Sequence, residues 1–305
     1  MAKYTADDAY SDPETGVLIN RLGIRDEALL AKIEATYAML RATELARQPL
    51  SGSFDLAHLQ AIHKKLFGDV YDWAGQIRTV DIAKGRTQFA SVHHIERYAP
   101  QITGPLAREN YLRGLDADTF SRRAAHYLGE LNVLHPFREG NGRTLRAFTS
   151  QLAQQAGYHI AWSGISRADM TEASIQAYHA GSELLAELIR ANVRDVAYEQ
   201  AVDLARTGGQ ETFVARAQPG QTYLGAVIGQ TDTYLVQAVR DAPQTVVVHR
   251  RRALLDSEPL KPGATVEIRY PHGDVGLVRL ASDGLERQGD APHEHQRQAD
   301  RDLER

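Results

Sequence analysis

One run of twelve residues near the middle of the chain combines groups that suit phosphate chemistry. It reads His-Pro-Phe-Arg-Glu-Gly-Asn-Gly-Arg-Thr-Leu-Arg over 135–146. Histidine is the side chain that exchanges protons near neutral pH, so His135 can act as a general base. Glu139 is an acid that can hold a magnesium ion otherwise bound by phosphate oxygens and water.

The rest of the run suits the phosphates themselves. Gly140, Asn141 and Gly142 let the backbone turn sharply and approach an anion closely. A helical pattern follows, so the free amides of the helix start would point at that anion. Arg143 and Arg146 lie three residues apart, on one helix face, where their forked donors suit the outer phosphates. Each residue type alone commonly has a structural role, but their joint occurrence favours a nucleotide site.

The composition indicates an ordinary soluble globular protein. The 305 residues are 43% hydrophobic and 24% charged, with a net charge of -4 and no cysteine. Disulfides and thiolate chemistry are therefore excluded, and the charge gives no general attraction to nucleic acid or membranes. The polar start lacks the apolar core of a signal peptide, and no run approaches the roughly 18 apolar residues of a membrane helix. These features predict a cytoplasmic protein.

Hydrophobic periodicity predicts that the first two thirds are mainly helical. The run 77–90 interrupts the helices with loose alternation around Lys84-Gly85-Arg86, which is typical of a hairpin or extended flap. The predicted helices cover 26–47, 54–67, about 117–134, 142–156, 167–178 and 182 to about 205.

The composition changes after residue 207. Five or six short β-branched or aromatic runs separated by turns predict a small β barrel or sandwich over 208–280. The last stretch, 281–305, has seven acids, four arginines and few large apolar residues, which predicts a disordered tail. The predicted organisation is a domain over 1–207, a small β domain over 208–280 and the tail.

The run 135–146 resembles the defining motif of the Fic domain family, His-x-Phe-x-Asp/Glu-Gly-Asn-Gly-Arg-x-x-Arg, at every fixed position. The stretches 12–20 and 66–78 are also similar to the family, so the resemblance covers about residues 10–200. It is strongest to the bacterial toxin and type IV secretion effector branch. That branch implies a mainly α Fic-fold domain with a β-hairpin flap, followed by a small all-β, OB-like domain.

The resemblance implies a protein adenylyltransferase, which transfers AMP from ATP to a Ser, Thr or Tyr hydroxyl of a target protein. By position, His135 would deprotonate the hydroxyl and Glu139 would hold Mg²⁺. The backbone at 140–142, together with Arg143 and Arg146, would bind the phosphates. The flap would pair with an extended target segment, with Lys84 and Phe89 clamping it.

The resemblance also implies alternatives and partners. The kinase-like branch has lysine at the position of Gly142, so the glycine favours AMP transfer over transfer of another nucleotidyl or phosphoryl group. We find no inhibitory Ser/Thr-x-x-x-Glu-Gly/Asn segment, so a separate small antitoxin is expected to place a glutamate on Arg146. By resemblance, the ATPase subunits of DNA gyrase and topoisomerase IV are candidate targets. The alternative to an intracellular toxin is an effector secreted into a host or recipient cell that acts on its proteins.

Two further interpretations concern the periphery. The basic cluster 249–252 can contact nucleic acid, but exposed arginines at a strand end are commoner, so nucleic acid is not predicted as a partner. Tyr178 and the turn at Gly181 and Ser182 are the candidates for the adenine pocket, from their position after the motif helix.

Overall fold

The computed structural model describes residues 9–85, 87–207, 212–255 and 260–281. Its contacts divide the chain into two compact units, Met1–Tyr198 and Glu199–Arg305. The domain limits proposed from the sequence, with a boundary after residue 207, stay predictions. All of the predicted tail except Ala281 lies outside the described residues.

The first unit is mainly helical, as the sequence predicted. Two short antiparallel strand pairs accompany the helices: β1 Ala83–Lys84 with β2 Thr87–Gln88, and β3 Tyr158–Ile160 with β4 Val193–Asp195. The helices are α1 Glu27–Arg47, α2 Leu56–Phe67, α3 Ile95–Arg108, α4 Ala117–Leu134, α5 Asn141–Gln155, α6 Arg167–His179, α7 Glu183–Asn192 and α8 Val196–Arg206, in which the division between the units falls.

The helix starts follow from capping side chains in the sequence. Asp26 accepts a hydrogen bond from the amide of Leu29 at 2.7 Å, which fixes the first residue of α1. Asp55 and Asp116 cap α2 and α4 in the same way. Each satisfies an amide that the helix itself leaves unpaired.

Two elements differ from the sequence prediction. No helix is predicted over 95–108, but α3 forms there with Pro100 and Pro105 inside it. The prolines weaken the helix, and the burial of Ile95, Ala99 and Leu106 in the core offsets this loss. The prediction of one helix from 182 to about 205 is wrong in its middle. The residues of β4 pair with β3 there and divide the segment into α7 and α8.

The core of the first unit surrounds α4 and α5. Helix α4 contacts α3, α5, α6 and α7, and α5 also contacts α1 and α2. Both helices therefore bury side chains on more than one side, and the loop between them is held within the unit. The fully buried members include Phe120, Phe137, Phe148, Leu59, Ile62 and Leu66.

The second unit contains one seven-stranded sheet, which confirms the predicted β region. The strand order is β5-β8-β7-β6-β10-β11-β9, in which the β5–β8 and β11–β9 pairs are parallel. The finer prediction of an OB-like barrel stays a prediction. The strands are β5 Phe213–Arg216, β6 Thr222–Gln230, β7 Tyr234–Val239, β8 Ala242–Arg250, β9 Leu254–Leu255, β10 Thr265–Arg269 and β11 Gly276–Leu280. Within the described residues, no helix has the length and apolar character needed to cross a membrane.

Candidate active site

The motif forms a loop that is fixed at both ends by left-handed backbone. His135 ends α4 with φ 45°, and Gly140 precedes α5 with φ 83°. Between them, the Asn141 side chain accepts from the amide of Phe137 at 2.9 Å and donates to its carbonyl at 2.6 Å. The loop is therefore closed by its own side chain, and the first amides of α5 lack partners within the helix.

The imidazole of His135 is oriented as a base. Its Nδ1 lies 2.9 Å from the carbonyl oxygen of Asn132, which can only accept, so Nδ1 carries the proton. In the neutral ring, Nε2 then carries the lone pair. The Phe89 ring stacks on the imidazole with centroids 3.6 Å apart and an interplanar angle of 14°.

A buried arginine ties the flap to this loop. Arg78 is 1% exposed and donates from Nε to the carbonyl of His135 at 2.9 Å. Its other guanidinium nitrogens donate to Val80 at 2.6 Å and to Ala90, on the two stems of the flap. The Arg78 amide donates to Pro136 at 2.9 Å. Burial lowers the pKa of Arg78, but the carbonyls satisfy its donors.

The turn at Gly140 is backed by aromatic rings. A Cβ at Gly140 would lie 2.4 Å from the ring of Phe67, so only glycine fits there. His63 donates from Nε2 to the carbonyl of Glu139 at 2.9 Å and accepts at Nδ1 from the Gly75 amide at 2.8 Å. Burial lowers the pKa of His63 to about 4, which keeps the ring neutral and fit for both bonds. Its ring stacks on Phe137 at 3.9 Å.

The two motif arginines have different surroundings. Arg143 pairs with Glu34 of α1 and lies 3.6 Å from the Glu139 carboxylate. The guanidinium of Arg146 has no hydrogen-bond or ion-pair partner within the described residues, and it lies 3.5 Å from the Cβ position of Gly142. Burial, and then the charge of Arg143, lower the pKa of Arg146. A half-buried cation without an anion indicates a site for one.

The motif loop and the flap border one cleft of about 900 Å³. All the predicted site residues line it except Glu139, in the loop, and Asn141, at the start of α5, which are both buried. Helix α6 forms the opposite wall with Met170 and Ser174. The lining residues predicted from the sequence are Lys84, Phe89, His135, Gly140, Gly142, Arg143 and Arg146.

The adenine-pocket candidates lie elsewhere. The Tyr178 hydroxyl donates to the carbonyl of Gln88 at 2.6 Å and so supports the flap. Neither Gly181 nor Ser182 belongs to the described lining of the cleft. Met170, near the start of α6, contributes apolar surface to the cleft.

The family model for the Fic/DOC family matches residues 53–153, which hold the flap, α4, the motif loop and most of α5. A protein of Salmonella typhimurium called "Probable protein adenylyltransferase Fic" is 44% identical over 159 residues, which are 52% of this chain and 78% of that protein. The chain belongs to the Fic/DOC family.

Two further likenesses support this assignment. "Protein adenylyltransferase VbhT" of Bartonella schoenbuchensis is 56% identical over 207 residues, which are 68% of this chain and 43% of VbhT. The chain thus spans less than half the length of that relative. The crystal structure of BepC from Bartonella tribocorum, a VirB-translocated effector with bound AMPPNP, matches with a TM-score of 0.57 and 30% identity. That match covers 61% of this chain and 96% of BepC.

The second unit has a match of its own. The model called "KfrB Domain" matches residues 222–279, which run from β6 to β11. This region is therefore similar to the KfrB domain. The match does not test the prediction of an OB-like barrel.

Sequence reasoning missed two residues that shape the site. Arg78 stands in a stretch quoted for the family resemblance, but nothing local shows that it bonds the carbonyls of His135 and the flap. The sequence indicates the role of Glu34 more weakly. This acid lies four residues from both Leu30 and Ala38, on the buried side of α1. An acid in that register indicates a buried partner of opposite charge.

Proposed function

We propose that this Fic-family chain is a protein adenylyltransferase, which transfers AMP from ATP to a hydroxyl of a target protein. The observation that carries the proposal is the cleft itself. It brings to one cavity a base-oriented His135, the start of α5 and the cation of Arg146, which has no partner among the described residues. The names of the aligned relatives support the same activity.

The proposed transfer uses the groups of the loop in order. Nε2 of His135 takes the proton of the target hydroxyl, whose oxygen forms the new bond to the α-phosphorus of ATP. The bond from that phosphorus to the β-phosphate bridging oxygen breaks, and pyrophosphate leaves with the electron pair. The amides at the start of α5 and the forked donors of Arg143 and Arg146 hold the phosphates throughout. Such transfer depends chiefly on positioning and charge neutralisation.

The residues fit a single magnesium ion bound mainly by the nucleotide. Among the described residues there is no cluster of three or more His, Cys, Asp or Glu side chains that would hold a metal alone. Glu139 is the one carboxylate of the loop, is buried, and lies 3.6 Å from Arg143. It would be the protein ligand, and Mg²⁺ would neutralise phosphate charge when bound.

The proposed target docks on the flap. The β1–β2 hairpin has only two residue pairs, Ala83 with Gln88 and Lys84 with Thr87. An extended target segment would add to its edge through main-chain hydrogen bonds, next to Phe89 and His135. The ATPase subunits of DNA gyrase and topoisomerase IV are the proposed targets of a bacterial toxin of this type.

We further propose that a separate small antitoxin controls the site. The guanidinium of Arg146, to which no described residue bonds, supports this part of the proposal, because a carboxylate there would occupy the place of an outer phosphate. The expected sign is growth arrest when the chain is expressed alone, and relief when the partner is coexpressed. Continued growth with active wild-type protein would contradict the toxin proposal.

The position of a radiolabel in ATP distinguishes AMP transfer from phosphoryl transfer. Purified protein would be incubated with bacterial lysate, magnesium and ATP radiolabelled at either the α- or the γ-phosphate, with His135→Ala beside the wild type. Protein bands labelled only from the α-position, and absent with His135→Ala, are expected. Labelling only from the γ-position would instead support phosphoryl transfer despite Gly142, and no label from either would contradict both.

A further inference from the structure

Glu34 is a buried acid that belongs to the site without belonging to the motif. It lies on α1, outside the residues 53–153 matched by the family model, and is 7% exposed. Its neighbours on the buried side of the helix are Leu30 and Ala38. Burying a charge among apolar groups is costly unless partners compensate it, so the position of Glu34 requires specific partners.

Two partners hold the carboxylate from different sides. The hydroxyl of Tyr71, itself 2% exposed, donates to one oxygen of Glu34. The guanidinium of Arg143 donates to the other. Burial, followed by the charge of Glu34, raises the pKa of Tyr71, so the hydroxyl stays a donor. Glu34 is therefore an acceptor for Arg143 that a second donor holds in place.

Arg143 stands between two carboxylates and bonds only one directly. Its guanidinium lies over the Phe67 ring, 4.7 Å from the centroid, and contacts Glu34. Its distance to Oε1 of Glu139 is 3.6 Å, which is too long for a hydrogen bond. Glu34 is therefore the nearer of the two carboxylates to Arg143.

We infer that Glu34 is a positioning residue of the nucleotide site, which holds Arg143 towards the phosphates and away from Glu139. Without the Glu34 carboxylate, Glu139 is the remaining acid within 4 Å of Arg143 in the described part of the chain. Closing on Glu139 would turn its donors from the cleft and neutralise the carboxylate proposed for the metal. This inference rests on the proposed function for the assignment of the cleft to ATP.

The first test measures ATP binding apart from transfer. Calorimetry with magnesium and ATP would compare wild type, Glu34→Gln and Glu44→Gln. Glu44 is a matched control because it is on the same helix and also bonds an arginine, Arg41, at 2.8 Å. Glu34→Gln is expected to bind ATP about five- to tenfold more weakly, while Glu44→Gln binds like wild type.

A double-mutant cycle separates positioning from a loss of structure. In an Arg143→Ala background, Glu34→Gln is expected to have no further effect on ATP affinity, because it acts through the arginine. The same weakening in both backgrounds would overturn the inference, since a merely structural role would persist without Arg143. Melting temperatures would be recorded for every variant.

A milder variant covers the case in which Glu34→Gln does not fold. Glu34→Asp keeps the charge but withdraws it by one methylene, so a smaller loss of ATP affinity in the same direction is expected. Equal ATP affinity of wild type and these variants would overturn the inference alone. No ATP binding by folded wild type would overturn the proposed function and this inference with it.

Discussion

The floor and the flap of the cleft are built in opposite ways. The floor, residues 135–146, is fixed by buried side chains, among them the Asn141 bonds to Phe137 at 2.9 and 2.6 Å. The flap, residues 77–90, contains a hairpin of two residue pairs and exposed side chains such as Lys84. The same buried residue, Arg78, joins the two regions by bonding His135 and both stems of the flap.

The difference separates two tasks. Phosphate and base positions must be held within a fraction of an ångström for transfer, which rigid, hydrogen-bonded backbone provides. An edge strand that recognises a partner through its main chain can accept different side chains. The floor therefore suits a constant reaction, and the flap suits the choice of target.

The largest expected effect comes from placing a methyl group in the floor. In Gly140→Ala the new Cβ would lie 2.4 Å from the Phe67 ring at a φ of 83°. We expect a stability loss of about 3 kcal/mol or more and loss of ATP binding, since strain and overpacking act together. Thermal melting and calorimetry would measure both.

The flap offers the matched control. Gly85 also has a positive φ, 60°, but nothing lies within 4 Å of its Cβ position. Gly85→Ala should therefore cost only about 1 kcal/mol, from the backbone alone, and leave ATP binding near the wild-type value. Equal costs at the two glycines would contradict the contrast between floor and flap.

The next effect is a dependence of stability on pH. His63 is fully buried and its pKa is lowered to about 4, against 6.5 for the free side chain. As the pH falls, His63 therefore takes up a proton in the unfolded chain before it does so in the folded protein. The stability that neutral His63 contributes is complete above pH about 6.5 and falls as the pH drops towards 4. The loss reaches about 3 kcal/mol, since one pKa unit corresponds to about 1.4 kcal/mol.

Denaturant melts across this pH range would measure that loss. The comparison is with His63→Gln, whose side chain does not titrate, and the difference between the two slopes isolates the histidine. A parallel pH dependence of the two proteins would show that His63 does not support the floor in its neutral form.

The smallest expected effect is at the flap. Lys84→Ala removes an exposed side chain from the cleft without touching the floor. We expect transfer to the protein target to fall only a few-fold, by about 1 kcal/mol, with an unchanged affinity for ATP. Titration of the target at saturating ATP would measure it, and a lower ATP affinity would assign Lys84 to the nucleotide instead.

The sequence predicted the elements whose signals are local. Helix α4 was expected at about 117–134 and forms at Ala117–Leu134, because the apolar stripe and the Asp116 cap lie in the same segment. The β region of the second unit was also predicted, since turns and β-branched runs alternate there, but seven strands form where five or six were expected. The proline-containing α3 and the strand β4 were not, because each is stabilised by partners far away in the chain.

The site shows the same division. The motif predicted the residues that line the floor, from His135 to Arg146, because one short loop carries them all. It could not predict that Asn141 bonds the loop itself, or that Glu34 of α1 pairs with Arg143. The Asn141 bonds depend on the turn of the loop backbone, whereas the Glu34 pair forms only when α1 packs against α5.

The most direct test of the account compares ATP affinity with AMP transfer in His135→Ala. His159→Ala is the control, because that histidine is exposed on β3. The account predicts that His135→Ala binds ATP within about twofold of wild type but transfers AMP from α-labelled ATP about 10² to 10⁴ times more slowly. His135→Ala protein that labels target proteins at the wild-type rate would contradict it.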